Sequence, residues 1–330
     1  MTTTVQEVGA GCHAWLRLPG GWGQTNLGLV VGEGASLLID TAWDQRLTRA
    51  MLDAISPHTD RAPISLLINT HPDGDHWWGN AELPGAEVLA SDSCATAMRE
   101  EATPEKLLAL RRVAQLSGRV PGRAGAVGRY VGSMLAPFEL GAVTLRFPDR
   151  TFKGRRTETI GGREVELIDY GAAHTASDSV VLVPDARVLY TGDLLFAAVT
   201  PVIWHGPVAN WIAALDAIMT LEADVFVPGH GPISTRTQLQ ALRDYWTWLT
   251  AAVTTHQSAG HGPREIAKRL TRTPEFAAFR AWENPERLYI NVATIARQLH
   301  DNGPIPTDPI TRGKAFDAVA CLCRYLQTNR

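Results

Sequence analysis

The sequence predicts an α/β (α+β) fold, and three observations carry that prediction. Short apolar runs of strand length recur through the first 230 residues, several of them end in a polar turn holding His or Asp, and helical periodicity takes over after about residue 235. A chain of 330 residues with 45 % hydrophobic content can bury a large core, as one big domain with additions or as two domains. No repeat or low-complexity linker separates the halves, so the expected organisation is a catalytic domain over 1–235 with a helical insertion at about 91–137. A helical extension over 236–330 would pack on that domain.

In chain order, residues 13–40 alternate apolar runs with the turns Gly20-Gly21-Trp22-Gly23 and Gly32-Glu33-Gly34, and end in Leu37-Leu38-Ile39-Asp40-Thr41. Residues 43–56 read as a helix with Leu47, Met51, Leu52 and Ile55 at helical spacing. Ile64 to Ile68 is a buried strand, and the stretch after Trp77-Trp78-Gly79-Asn80 reads as the opening of a helix. Within the insertion, Ser91 caps a helix through Met98, and Thr103-Pro104-Glu105 starts another through Leu116. Gly118 to Gly132, rich in Gly and Arg, reads as partly loop. Strands follow at Val143 to Phe147, Glu164 to Ile168, Ser179 to Val183, Arg187 to Tyr190 and Val225 to Val227, with a helix from Trp211 to Leu221. Two amphipathic helices close the reading, one beginning at Leu239 and one over Pro285 to Leu299; both need an apolar surface to dock on, either the sandwich or a second copy.

The hexapeptide His71-Pro72-Asp73-Gly74-Asp75-His76 follows the strand at Ile68 and holds four metal-binding side chains in six residues. A solvated turn explains any one of them but not all four. Crowded Asp residues repel one another and resist burial unless a cation joins them, and imidazole with carboxylate suits Zn(II), Fe(II) and Mn(II). The C-terminal end of a strand is where open α/β sheets place their chemistry. His174, Asp193 and His230 each sit in a turn directly after or between strand-like runs, so all three are expected to converge on the same sheet edge.

Composition bounds the function. A formal charge of −3 suggests no basic face for nucleic acid. The N-terminus lacks a basic start and an apolar core of signal-peptide length, and no run approaches the ~18 apolar residues that span a bilayer. Cys12, Cys94, Cys321 and Cys323 show no pairing pattern beyond Cys-x-Cys, which places the last two on one helix. A cytoplasmic enzyme is expected, with no membrane and no nucleic-acid partner. Its 27 Arg against four Lys suggests a GC-rich bacterial source.

The order of these motifs, His-x-Asp-x-Asp-His, then Ala-His-Thr, Thr-Gly-Asp and Pro-Gly-His-Gly, resembles the metallo-β-lactamase-fold superfamily from about Trp15 to Pro232. The resemblance implies a four-layer αβ/βα sandwich with two metals at one edge. His71, Asp73 and His174 would hold the first, Asp75, His76 and His230 the second, and Asp193 would bridge them. Asp73 departs from the family, which usually has His there. The expected cofactor is two Zn(2+), with Fe or Mn open because a carboxylate at Asp73 hardens the first site.

The resemblance further implies a flap at the hairpin tip near Trp22, and a pocket-lining segment after Asp193. Trp22, Trp78 and Trp204 are the candidate substrate contacts, and His205 joins Asp75 and Asp193 as a catalytic candidate for proton transfer. The insertion would wall the site, and its Arg111, Arg112, Arg119, Arg123 and Arg129 form a basic segment suited to a phosphopantetheine arm or coenzyme A, or simply a solvated face. The expected activity is hydrolysis of an ester, thioester or lactone by a metal-bound hydroxide, on a small molecule or a carrier-protein-bound acyl group. The alternatives are an aromatic polyketide cyclase or cyclase-thioesterase using the same metals, and, behind it, a diiron redox enzyme. A homodimer is compatible with the C-terminal helices.

Overall fold

The computed structural model describes residues 2–100, 103–300, 303–306 and 308–328. Seven strands form one sheet in sequence order: β1 (Thr2–Gly9), β2 (Cys12–Leu18), β3 (Leu27–Val31), β4 (Ser36–Ile39), β5 (Ile64–Ile68), β6 (Glu87–Ser91) and β7 (Arg150–Phe152). The first four pair antiparallel, and β4 to β7 run parallel. A second sheet contains β8 (Arg155–Ile160), β9 (Arg163–Asp169), β10 (Ser179–Val183), β11 (Val188–Phe196) and β12 (Val225–His230) in the order β12-β11-β10-β9-β8, with β11 and β12 parallel.

The period-2 pattern of the strands separates the layers. Cys12, Ala14, Leu16, Val30, Leu37, Ile39, Leu66 and Ile68 meet Val165, Leu167, Val181, Val183, Val188 and Val227 in a core between the sheets. The alternate residues Trp15, Leu29, Leu38, Leu67 and Val88 face outward onto α1 (Gln45–Thr59) and the insertion helices. Leu182, Leu189 and Phe226 face the other way, onto α5 (Val208–Ile218), α6 (Arg236–Ser258) and the helices that follow. This is the αβ/βα sandwich the sequence predicts. Tyr190 crosses the middle layer and donates its hydroxyl to the carbonyls of His13 (3.0 Å) and Leu29 (3.2 Å), tying one sheet to the other.

The insertion carries α2 (Asp92–Ala97), α3 (Pro104–Ser117) and α4 (Gly122–Leu135). Ser91 caps α2 by accepting from the Cys94 amide, as read from sequence. The stretch Gly118 to Gly132, expected to be partly loop, is mostly α4. Its glycines are a packing device: a Cβ at Gly128 would lie 2.7 Å from the Ala114 carbonyl, so only glycine lets α4 approach the end of α3 this closely. Val143 to Phe147 is not a strand. Its carbonyls are taken by side chains, Gln45 donating to Thr144 O and Asn80 to Arg146 O, so no neighbouring strand is needed. After Trp77 to Asn80 only a 3-10 turn forms, over Asn80–Glu82, because the Asn80 side chain is bonded across to Asn69.

Beyond α6, α7 (Pro263–Leu270), α8 (Ala277–Arg280), a 3-10 turn Pro285–Arg287, α9 (Leu288–Gln298) and α10 (Pro309–Thr328) complete the chain. These helices dock on the second sheet: Leu239, Tyr245, Trp246, Leu288, Val292 and Ile295 share one core with Leu194, Phe196 and Trp211. No helix among the described residues is long and apolar enough to cross a membrane. Cys321 and Cys323 lie on α10, and none of the four cysteines is joined in a disulfide.

His13 on β2 stacks on His58 near the end of α1, with ring centroids 3.9 Å apart. Burial and then the neighbouring His58 hold its pKa below the ordinary imidazole value. The folded state therefore binds fewer protons at this group than the unfolded chain. Its contribution is complete above about pH 6.5 and is lost as pH falls below that. Urea unfolding from pH 7 to 5 should show wild type losing stability relative to His13→Leu; parallel pH curves would contradict this origin.

Candidate metal centre

The cluster is assembled from the C-terminal ends of parallel strands. Asp40 follows β4, the His71 to His76 loop follows β5, Asp193 lies in the irregular end of β11, and His230 ends β12, while His174 comes from the loop joining β9 to β10. Asp193 lies within β11 rather than in a turn after it. Gly229 makes this convergence possible, since a Cβ there would sit 1.9 Å from Asp193 Oδ1.

Three of the four imidazoles, those of His71, His76 and His174, are oriented by their Nδ1, whereas His230 Nδ1 is buried without a partner. His76 Nδ1 donates to Asp40 Oδ2 (2.8 Å) and His174 Nδ1 to the Val202 carbonyl (2.5 Å), acceptors that demand a proton on that nitrogen. Thr70 gives its hydroxyl proton to Asp40 Oδ2 (2.8 Å) and so accepts from His71 Nδ1 (2.9 Å). The Nε2 atoms of these three are thereby left with lone pairs, and all four Nε2 atoms turn inward around Asp193, at 3.2 Å for His76, 3.3 Å for His174 and His230, and 3.9 Å for His71.

Among the described residues three groups lie close enough to hold a cation. In that of Asp40, His71 and His76 the Nδ1 atoms are already joined to Asp40 directly or through Thr70, which leaves His71 with His174 and Asp193, and Asp75 with His76 and His230. His71 Nε2 and Asp193 Oδ1 are buried without a hydrogen-bond partner. Orphaned ligand atoms in a cluster of this composition fit a metal site, because a buried polar network meant only for packing would satisfy them. Asp73 stands at the edge, its Oδ2 3.1 Å from His174 Nε2, so all seven residues expected from sequence are brought together. With protein partners alone, burial opposes charge on His76, but Asp193 and Asp40 outweigh it and raise its pKa well above the ordinary value. Burial likewise opposes charge on His174, and Asp73 outweighs it, lifting the group to about 9. His71 goes the other way, lowered by burial and then by His76. Burial also disfavours ionised Asp193, yet His230 and His76 hold it well below the usual carboxylate range.

The metallo-beta-lactamase superfamily model matches residues 20–230, which contain every one of these groups. The chain belongs to the metallo-beta-lactamase superfamily. It is 24 % identical over 276 residues to the 2,4-dinitroanisole O-demethylase subunit alpha of Nocardioides sp. (strain JS1661), covering 80 % of this chain and 71 % of that one. It is also 24 % identical over 301 residues to the linear primary-alkylsulfatase of Pseudomonas sp. (strain ATCC 19151), covering 83 % of this chain and 56 % of the relative. Among solved structures, the sec-alkylsulfatase Pisa1 from Pseudomonas sp. superposes with a TM-score of 0.69 at 22 % identity, over 90 % of this chain and 50 % of that chain. The chain thus spans about half the length of these alkylsulfatases. A metallo-beta-lactamase from Pontibacter korlensis matches 74 % of this chain, with 99 % of its own length covered, at a TM-score of 0.56. The comparisons show the fold and the superfamily; none of the relatives named here is a thioesterase or a cyclase.

The superfamily frame locates the remaining sequence candidates. Trp22 lies in the flap between β2 and β3, with its Nε1 donating to Tyr130 Oη (2.9 Å) and its ring 6.3 Å from that of Trp204. Trp78 is not a substrate contact: it is 1 % exposed, packed beside Trp43 and under Gly74, and serves as the floor of the His71 to His76 loop. His205 is exposed, and its Nδ1 is paired with the adjacent Gly206 carbonyl. Its backbone amide, not its ring, meets the His174 loop, so it has no proton-shuttle geometry. The insertion arginines are largely committed to the protein, Arg111 to Phe138 O, Arg129 to Gly118 O and Arg123 to both Asp317 oxygens, while Arg112 and Arg119 are simply exposed.

Sequence reading missed the supporting residues. Asp40, Thr25 and Thr70 hold ligands directly, with Thr25 donating to Asp75 Oδ2 (2.8 Å). Asp178 accepts from the Thr175 amide and hydroxyl and from the Ala173 amide, and so shapes the His174 loop; burial raises its pKa to about 6. Asp40 alone carried a signal, as a carboxylate at the end of the run Leu37-Leu38-Ile39. Asn291, fully buried on α9, donates to Pro201 O (2.9 Å) and accepts from Ile203 N (3.0 Å), bracketing the Val202 carbonyl that orients His174.

Asn291→Ala should therefore loosen Val202 and lower metal affinity by roughly 10- to 100-fold, the usual effect of losing an outer-shell partner. Competition titration with a chromophoric chelator reads this directly. Wild-type affinity in a folded variant would show that α9 does not reach the metals.

Proposed function

We propose that this chain is a two-metal hydrolase that cleaves an ester-class bond, a carboxylic ester, thioester or lactone, without a protein nucleophile. The observation that carries this reading is the set of four inward Nε2 atoms gathered around one buried carboxylate, with the orphaned His71 Nε2 and Asp193 Oδ1 among them. Two zinc ions are the preferred occupants because His supplies four of the seven ligands, with iron or manganese admitted by Asp73. Bound there, a pair of divalent cations supplies Lewis acidity and lowers the pKa of a water nucleophile.

The chain's own groups do the rest. Asp193 would bridge the two sites and fix their separation. Asp75, itself held by Thr25, would orient the attacking water on the second-site side, and Asp73 adds negative charge that tempers the first. The apolar flap residue Trp22 and Trp204 would exclude bulk water around the bond being cut.

A carrier-borne acyl arm loses its support, since Arg111, Arg123 and Arg129 are engaged within the protein. Sulfate-ester hydrolysis is a second reading, favoured by the two alkylsulfatases that the chain resembles.

Asp193→Ala and His76→Ala should each abolish turnover of any ester the metal-loaded wild type cleaves, a loss exceeding the roughly 100-fold typical of a merely supporting residue. Circular dichroism and the thermal midpoint should show both variants folded. A folded, fully active Asp193→Ala protein would sink the two-metal reading.

A further inference from the structure

The segment beyond β12 brings to the site a cation that no ligand role uses. Arg287 ends the turn Pro285–Arg287, is 1 % exposed, and lies outside the residues 20–230 that match the family model. One terminal nitrogen donates to the Thr200 carbonyl (3.1 Å), while its Nε–H is buried with no acceptor. Its guanidinium carbon stands 4.1 Å from the centroid of the Trp22 ring. Trp22 is held in turn by Tyr130, whose hydroxyl donates to Glu286 Oε1 (2.9 Å), so the flap, α4 and this turn meet around Arg287. Among the described residues no carboxylate forms an ion pair with it. Burial lowers its pKa, and Tyr130, Glu286, Asp193 and Asp75 oppose that shift, which places the guanidinium within the field of two of the candidate metal ligands.

A buried guanidinium stays charged, and an unfilled donor on it costs free energy that a purely structural clamp on Trp22 and Thr200 would not require. The chemistry that fills such a donor is an oxyanion, which accepts from the planar fork of Arg.

We propose that Arg287 recognises an oxyanion carried beside the scissile bond, so that the preferred substrates are anionic esters, either sulfate esters or carboxylic esters bearing a second carboxylate. This inference rests on the hydrolase reading. It adds the charge of the substrate and names the residue that selects it.

The test uses the full-length, metal-loaded chain with three octyl esters: octyl sulfate, monooctyl succinate and uncharged octyl acetate. Wild type should favour one of the anionic pair over the acetate, and which one it favours identifies the source of the oxyanion. Arg287→Gln should lower kcat/KM for that ester by roughly 10- to 100-fold more than for the acetate, the range for a hydrogen bond to a charged group. Arg287→Lys, which keeps the charge but not the fork, should fall between. It also serves as the test if the Gln variant does not fold. Equal losses on all three esters, or undiminished anion preference in Arg287→Lys, would overturn the proposal and reduce Arg287 to a clamp on the flap.

A readout independent of turnover separates the two readings. Inorganic sulfate should raise the melting temperature of wild type more than that of the Arg287 variants. If wild type cleaves none of the esters but shows this difference, the hydrolase reading fails and the anion site stands; if sulfate acts alike on wild type and variants, the anion site fails whatever the turnover.

Discussion

Asp193 is buried at the centre of four imidazoles, and the rest of the structure is arranged around the difficulty of keeping it there. An ionised carboxylate in a low-dielectric interior carries a penalty of several kcal/mol unless charge and hydrogen bonds compensate. Here the compensating atoms are turned inward but poorly paired: His76 Nε2 stands 3.2 Å from Asp193 Oδ1, yet that oxygen has no hydrogen bond. Cations held by these ligands would settle such an arrangement. The strands supply the convergence, Gly229 supplies the room beside Asp193, and the Nδ1 contacts of His71, His76 and His174 fix which nitrogen faces in.

The support for the centre comes from both sides of the sandwich. Asp40, at the end of β4, serves two ligands at once, bonding His76 directly and His71 through Thr70. On the opposite side the C-terminal helices do more than cover apolar surface. Asn291, with Thr294 donating to the Ile203 carbonyl and Arg287 to that of Thr200, grips the segment 200–203, and Val202 within that segment orients His174. The extension is thus continuous with the catalytic core in both packing and hydrogen bonding. It also closes on the flap through Glu286, Tyr130 and Trp22.

Much of this was legible in the sequence because the ligands are local in type and spacing. Four of the seven fall in one hexapeptide, and the other three each follow or adjoin an apolar run of strand length. The period-2 strands and the caps at Ser91 and Thr103-Pro104 were equally readable. What escaped was set by tertiary contacts. β1 is a mostly exposed, Thr-rich edge strand, and β8 is a charged one stabilised by cross-strand pairs such as Arg155 with Glu166, so neither shows apolar periodicity. α4 looked like loop because its glycines are chosen for the close approach to α3. Trp78 and the loop at His205 look like pocket residues by position, and only the packing shows one buried and the other turned away.

The central claim is that the cluster holds two cations bridged by Asp193. Elemental analysis of protein purified without added metal, and after saturation with zinc and removal of the excess, measures this most directly. The account predicts two divalent ions per saturated wild-type chain and no more than one in Asp193→Ala. Two ions retained in that variant, or none bound by wild type, would contradict it.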